Sequence, residues 1–174
     1  MKIREMHPDE CTLLRKFLYL AIYVPEGMEP PPLSVIDLPE LQIYIADFGT
    51  QIGDHCLVIE VDGTIVGAAW SRIMEDYGHI DNRTPSLAIS LLSEYRGLGM
   101  GTQLLTNLLL LLQKNGYFRS SLSVQKENPA LHLYERLGFE IVEEKDTEYL
   151  MLRDITQVSR NEEGNHGNKT CTSK

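Results

Sequence analysis

The residues best suited to chemistry are Arg96-Gly97-Leu98-Gly99-Met100-Gly101, set directly before Thr102 and a leucine-striped segment. Glycines at alternate positions strip side chains from one stretch of backbone, so its N–H groups can approach an anion closely. A helix opening near Thr102 adds the positive end of its dipole. Arg96 adds a full charge and a planar donor set suited to phosphate. Together these residues predict a pyrophosphate cradle; the plainer alternative is a tight strand-to-helix turn. The dinucleotide pattern G-x-G-x-x-G is not met: counted from Gly97 its sixth position is Thr102, and counted from Gly99 it is Leu104. No Lys-Ser or Lys-Thr pair follows the glycines, as a nucleotide-triphosphate loop requires.

The elements that must position this loop follow from periodicity. Met1 to Met6 is predicted as a strand. His7-Pro8-Asp9 opens a helix with Leu13, Leu14, Phe17, Leu18 and Ala21 on one face, ending near Tyr23 before a proline-rich loop. Asp37 and Glu40 have capping-box spacing and predict a helix that carries Leu41, Tyr44, Ile45 and Phe48 and stops at Gly49. Asp62-Gly63 between the apolar runs 55–61 and 64–73 predicts a hairpin. Ser86 to Leu92 is the strand that feeds the glycine loop. The helix beyond the loop presents Leu104, Leu105, Leu108, Leu109 and Leu112 and ends at Gly116. A strand over 118–125 follows, then a helix with Asn128 as N-cap and Pro129 at its first position, stopped by Gly138. Strands over 139–143 and 149–153 close the chain. This order predicts a mixed α/β sheet with helices on its faces.

Composition sets the bounds. With 174 residues, 43% of them hydrophobic, the chain fits one domain with a sizeable core. A formal net charge of −9 argues against nucleic acid, which calls for a basic stripe, and suits a cationic or amine-bearing substrate as well as plain solubility. Cys11, Cys56 and Cys171 are far apart and odd in number, so neither a disulfide framework nor a zinc site is expected. The first ten residues contain no apolar run and no stretch is long enough to span a membrane, so the expected setting is the cytoplasm, without a membrane. The working domain is read as residues 1–155, and 156–174 as a polar, disordered tail. Its Asn168-Lys169-Thr170 sequon carries no meaning without a secretion signal.

The R-x-x-G-x-G pattern at Arg96–Gly101, after a strand and opening a helix, resembles the acetyl-CoA loop of the GCN5-related N-acetyltransferases (GNAT). Asn128-Pro-Ala-Leu-His-Leu-Tyr134-Glu-Arg-Leu-Gly138-Phe139 is similar to that family's next strand–helix element, and the resemblance covers roughly residues 1–155. It implies a mostly antiparallel sheet splayed at its centre. The strand 86–92 would pair with the pantetheine arm through main-chain groups of Ile89 and Leu91, and the donor near Leu91 would polarise the thioester carbonyl. The resemblance further implies that Arg96, Gly97, Leu98, Gly99, Met100, Gly101 and Thr102 hold the pyrophosphate and that Asn128 contacts the arm. Tyr134 would be the general acid that protonates the departing thiolate. The chain departs from the family in having Ser93 where a proline is common. Its Asn128-to-Tyr134 interval is also one residue short.

The implied activity is transfer of an acetyl group from acetyl-CoA, as cosubstrate and without a metal, to a primary amine by direct attack. The acceptor would be a small-molecule or peptide amine, and a homodimer is left open. The rivals are an acyltransferase acting on a protein amine and a non-catalytic CoA-binding regulatory module. Candidate bases are Glu26, Glu29, Glu75, Asp76, His79 and His132, with His132 disfavoured because it points away from Tyr134. Tyr23, Trp70 and Tyr77 are candidate wall residues, and Cys11 and Cys56 are expected to be buried and inert.

Overall fold

The computed structural model describes residues 1–158. The sequon and the part of the expected tail from 159 onward lie outside the described residues. The strands are β1 (Lys2–Glu5), β2 (His55–Val61), β3 (Thr64–Arg72), β4 (Ser86–Leu91), β5 (Arg119–Gln125), β6 (Glu140–Glu144) and β7 (Glu148–Asp154). The helices are α1 (Leu13–Ala21), α2 (Pro39–Gln42), α3 (Met100–Lys114) and α4 (Leu131–Arg136). One sheet runs β1-β2-β3-β4-β5-β7-β6, antiparallel throughout except where β4 meets β5. The mixed, mostly antiparallel sheet with helices on its faces is therefore as the sequence predicts. No helix of the described residues is long and apolar enough to cross a membrane.

The β2–β3 hairpin closes as Asp62-Gly63 predicts. Both residues take positive φ, 50° and 80°, the geometry that matches the twist of paired strands. Two leucine-rich layers sandwich the sheet. Leu104, Leu105, Leu108, Leu109 and Leu112 of α3 pack with Leu57, Ile59, Leu87, Leu122 and Val124 on one face. On the other face Leu14, Phe17 and Leu18 of α1 pack with Val58, Ala68 and Trp70. Trp70 is fully buried there, so it is core and no pocket wall. Packing continues past 155: Val158 is buried, and the Gln113 side chain donates to the Ile155 and Thr156 carbonyls.

Two helices differ from expectation. The first breaks into a 3-10 turn, Pro8–Glu10, and then α1, with the real N-terminal cap at His7, whose N–H donates to the Glu10 carboxylate at 2.8 Å. Arg4 also donates to Glu10, and this pairing holds its carboxyl down at about 2. The second expected helix is a 3-10 turn, Leu33–Asp37, followed by the single-turn α2. Asp37 does not cap it. Its carboxylate pairs with Arg15, and Pro39 takes the first helical position instead.

Candidate functional site

The decisive feature lies between β4 and β5. They run parallel and share one register pair, Ser86↔Ser121, after which the strands part. The vertex is pinned by hydroxyls. The Ser121 N–H and the Ser120 Oγ both bond the Pro85 carbonyl at 3.0 Å, and Ser121 Oγ donates to Gly78 O at 2.6 Å. Ser86, Ser120 and Ser121 are all buried. Ser121→Val is expected to cost about 1–3 kcal/mol by leaving the Gly78 carbonyl buried without a donor. Denaturant unfolding checks this, and a change under about 0.5 kcal/mol would contradict it.

Past the vertex β4 presents a bare edge. Leu92 N–H donates to Val66 O on the β3 side. Backbone groups alternate sides along a strand, so Ser90 faces β3 as well, while Ile89 and Leu91 face the gap that β5 has left. The Leu91 carbonyl is taken: Arg96 Nε–H donates to it at 3.0 Å.

At the end of this edge lies the glycine loop. Gly97 and Gly99 take φ of 74° and 78°, the left-handed conformation that side chains resist, and Gly99 is the residue that caps α3. Gly101 has a different task. A side chain there would start 3.3 Å from Leu91 Cδ1 and 3.6 Å from Leu133 Cδ2, so its absence lets α3 sit close against β4 and α4. Among the described residues, none of the six backbone N–H groups from Gly97 to Thr102 donates to a protein acceptor. Gly97 to Gly99 are exposed, with Leu98 63% accessible, and residues 100–102 are half-buried, so these donors gather at the open N-terminus of a helix.

Arg96 is less simple than the sequence suggests. Its guanidinium donates to the Leu91 carbonyl and, at 3.4 Å, to the Leu20 carbonyl at the end of α1. Asn128 Oδ1 accepts the Ala130 N–H at 2.9 Å and caps the turn into α4, whose regular part starts at Leu131. Tyr134 lies in that helix, 8% exposed, its ring edge-on to Phe139 at 6.1 Å. Its hydroxyl makes no hydrogen bond within the described residues, and burial, the one cause of its shift, pushes its pKa up to about 12.

On the α1 face of the parted strands the structure gathers polar groups. Asp76 Oδ2 accepts from Tyr44 at 2.9 Å and from Ser86 Oγ at 2.7 Å, beside the vertex. Ser123 Oγ donates to Glu148 at 2.8 Å. Burial, and then the Asp76 carboxylate, push the Tyr44 phenol well above its ordinary value. Tyr23 bridges the gap by donating to Glu127 O at 3.1 Å, and Lys145 does so by donating to Tyr77 O at 3.2 Å.

Of the sequence-predicted bases, Asp76 is the one set against β4. Glu26, Glu29 and Glu75 are exposed. Glu75 lines a cleft of about 590 Å³ to which no glycine-loop residue contributes. His79 is tied to Met74 O, and His132 is exposed beside Glu135. Cys56 is buried and Cys11 half-buried, and burial raises both thiols. Tyr44, Ser86, Ser123 and Glu148 were not singled out by sequence. The one available signal was Ser121 and Ser123 alternating with Leu122 and Val124, a polar face opposite an apolar one.

N-alpha-acetyltransferase 50 of Danio rerio is 32% identical over 101 residues, 57% of this chain and 59% of that protein. A probable N-acetyltransferase named san, of Drosophila melanogaster, is 33% identical over 101 residues, 57% of this chain and 54% of that one. The chain thus spans little more than half the length of these curated relatives. The fold is shared with PaiA N-acetyltransferase of Thermoplasma acidophilum, solved in complex with coenzyme A. Its TM-score is 0.65 at 18% identity, over 88% of this chain and 98% of that one. It is shared equally with the ribosomal-protein-S18-alanine N-acetyltransferase of Escherichia coli, with a TM-score of 0.63 at 18% identity, over 92% and 97% of the two chains. A family model described as acetyltransferase (GNAT) matches residues 22–139, the stretch that holds the parted strands, the glycine loop and α4, and the chain belongs to that family.

Proposed function

We propose that the protein transfers an acetyl group from acetyl-CoA to a primary amine by direct attack. The observation that carries this reading is one continuous polar track of backbone. It runs from the bare β4 edge at Ile89 and Leu91 to the unpaired N–H groups of residues 97–102. A pantetheine arm carries amides that pair with a strand edge, and a pyrophosphate needs clustered donors, so the track suits both ends of the cosubstrate. Arg96 stands at the entry to the cradle, and Asn128 flanks the arm from the β5–α4 turn.

The amine enters from the opposite face, where Asp76 and Glu148 supply negative charge. Its nitrogen attacks the thioester carbonyl carbon. The C–N bond forms, the Leu91 N–H stabilises the oxyanion, and the C–S bond breaks. Tyr134, neutral across physiological pH and with its hydroxyl unengaged, gives its proton to the departing thiolate. The amine's own proton leaves toward the carboxylate side.

The test follows CoA release against a panel of small amines and peptides. Peptide α-amines belong in it because a relative bears the name N-alpha-acetyltransferase. Binding of acetyl-CoA without turnover of any amine would favour the non-catalytic module. Gly99→Val forces a β-branched residue to φ 78°, a strain of about 1–3 kcal/mol. It is expected to weaken acetyl-CoA binding about tenfold or more by calorimetry; undiminished affinity would remove the loop from the site.

A further inference from the structure

Arg96 looks from sequence like a phosphate ligand, yet its guanidinium is committed elsewhere. Nε–H bonds Leu91 O at 3.0 Å and Nη2–H reaches Leu20 O at 3.4 Å. Both acceptors are backbone carbonyls that secondary structure leaves without partners. Leu91 faces the gap where β5 has departed. Leu20 belongs to the last turn of α1, at the negative end of the helix dipole, and among the described residues no backbone N–H bonds its carbonyl, whereas the Tyr19 carbonyl accepts the Ile22 N–H. A cation with two diverging donors satisfies both at once, which an ammonium does less well. A second tie runs the same way: Ser90 Oγ, on the α1 face of β4, donates to Phe17 O at 2.7 Å. The chain leaves α1 directly into Tyr23, which bridges to Glu127 across the parted strands.

We propose that Arg96 is a positioning residue that clamps the end of β4 to the end of α1, and so sets Leu91 for the acyl donor and Tyr23 for the acceptor. The phosphates are left to the backbone donors of residues 97–102. The clamp rests on the acetyl-CoA reading above for its catalytic consequence, but not for its structural one.

The experiment compares two donors in wild type, Arg96→Gln and Arg96→Lys: acetyl-CoA, and S-acetylpantetheine, which lacks the pyrophosphate and nucleotide. A clamp predicts that Arg96→Gln lowers kcat/KM about tenfold with both donors alike, the scale of one charge-assisted hydrogen bond. It also predicts a raised acceptor KM and little rescue by Arg96→Lys. A phosphate ligand predicts a loss confined to acetyl-CoA, rescue by lysine, and an unchanged acceptor KM; that pattern overturns the proposal. Hydrogen exchange without any donor supplies the independent arm. The Leu92 amide, bonded to Val66 O, and the Ile22 amide, bonded to Tyr19 O, should exchange faster in Arg96→Gln. Unchanged protection at both overturns the clamp even if no amine is ever acetylated, whereas faster exchange with no turnover in wild type would overturn only the acetyl-transfer reading.

Discussion

Tyr134→Phe is expected to lower kcat for acetyl transfer about 10²-fold, with acetyl-CoA affinity within about twofold of wild type. The expectation follows from what the hydroxyl does not do. It makes no hydrogen bond within the described residues, so removing it takes no hydrogen bond from the fold. The ring stays, and with it the edge contact to Phe139 and the packing of α4 against the α3 side of the sheet. What disappears is a proton donor. Burial pushes the phenol up to about 12, so Tyr134 is protonated at every pH where the enzyme would be assayed. It therefore adds no alkaline limb to the kcat profile below pH about 10. Its folded pKa is raised above the unfolded value near 10. Burial alone causes the shift, so the unfolded chain ionises first, and the fold loses roughly 2–3 kcal/mol as pH rises from about 10 through about 12, with nothing lost below pH about 10. Wild type should lose that increment on alkaline titration and Tyr134→Phe should not. Stopped-flow CoA release and pH-dependent unfolding measure the two effects separately. Turnover within about twofold of wild type would remove Tyr134 from the mechanism.

How much of this was legible in sequence depends on the range of the interaction. Asp62-Gly63 announced its hairpin because the turn is decided by two adjacent φ angles. The glycine loop was legible for the same reason, although its glycines divide their work: Gly97 and Gly99 supply positive φ, whereas Gly101 makes room for Leu91 and Leu133. The short α2 was misread because a local pattern met a distant partner. Asp37 and Glu40 have capping spacing, but the Asp37 carboxylate pairs with Arg15, 22 residues away. The vertex of the splay is wholly long-range. Ser120 and Ser121 find their acceptors 35 and 43 residues away, and nothing in Arg-Ser-Ser-Leu-Ser-Val announces buried hydroxyls. Tyr44 and Glu148 escaped for that reason too. Each meets its partner, Asp76 or Ser123, only after the sheet has formed.

The same long-range logic makes Asp54→Ala the most damaging substitution expected away from the loop. Arg72 and Asp54 form a bidentate pair at 2.7 and 2.9 Å, each side chain 1% exposed. Arg72 Nη1 also donates to Ile43 O and Ala46 O, and the guanidinium lies 5.2 Å from the Phe48 ring centroid. Asp54 Oδ2 further accepts the Gly49 and Gln51 N–H groups. Burial works to raise the Asp54 carboxyl, but Arg72 and these amides outweigh it and hold it below its ordinary value. Its stabilisation is present above the ordinary aspartate range and is lost as pH falls through the depressed folded pKa. Removing the carboxylate leaves a buried guanidinium half-paired, at a cost of about 3–5 kcal/mol. For a chain of this size that corresponds to a Tm lower by about 10 °C. Replacing both partners, as Asp54→Leu with Arg72→Met, should recover only part of this, because the Ile43 and Ala46 carbonyls then lose their donor. The segment so fastened, 39–54, carries Tyr44, whose hydroxyl fixes Asp76 beside the vertex. Below its lowered Tm, Asp54→Ala should therefore raise the acceptor KM while leaving acetyl-CoA affinity, which the proposed site draws from the distant 97–102 backbone, nearly unchanged. A Tm within about 2 °C of wild type would show that the ion pair does not hold this segment. An equal loss of affinity for both substrates would show that the two faces of the splay are not independent.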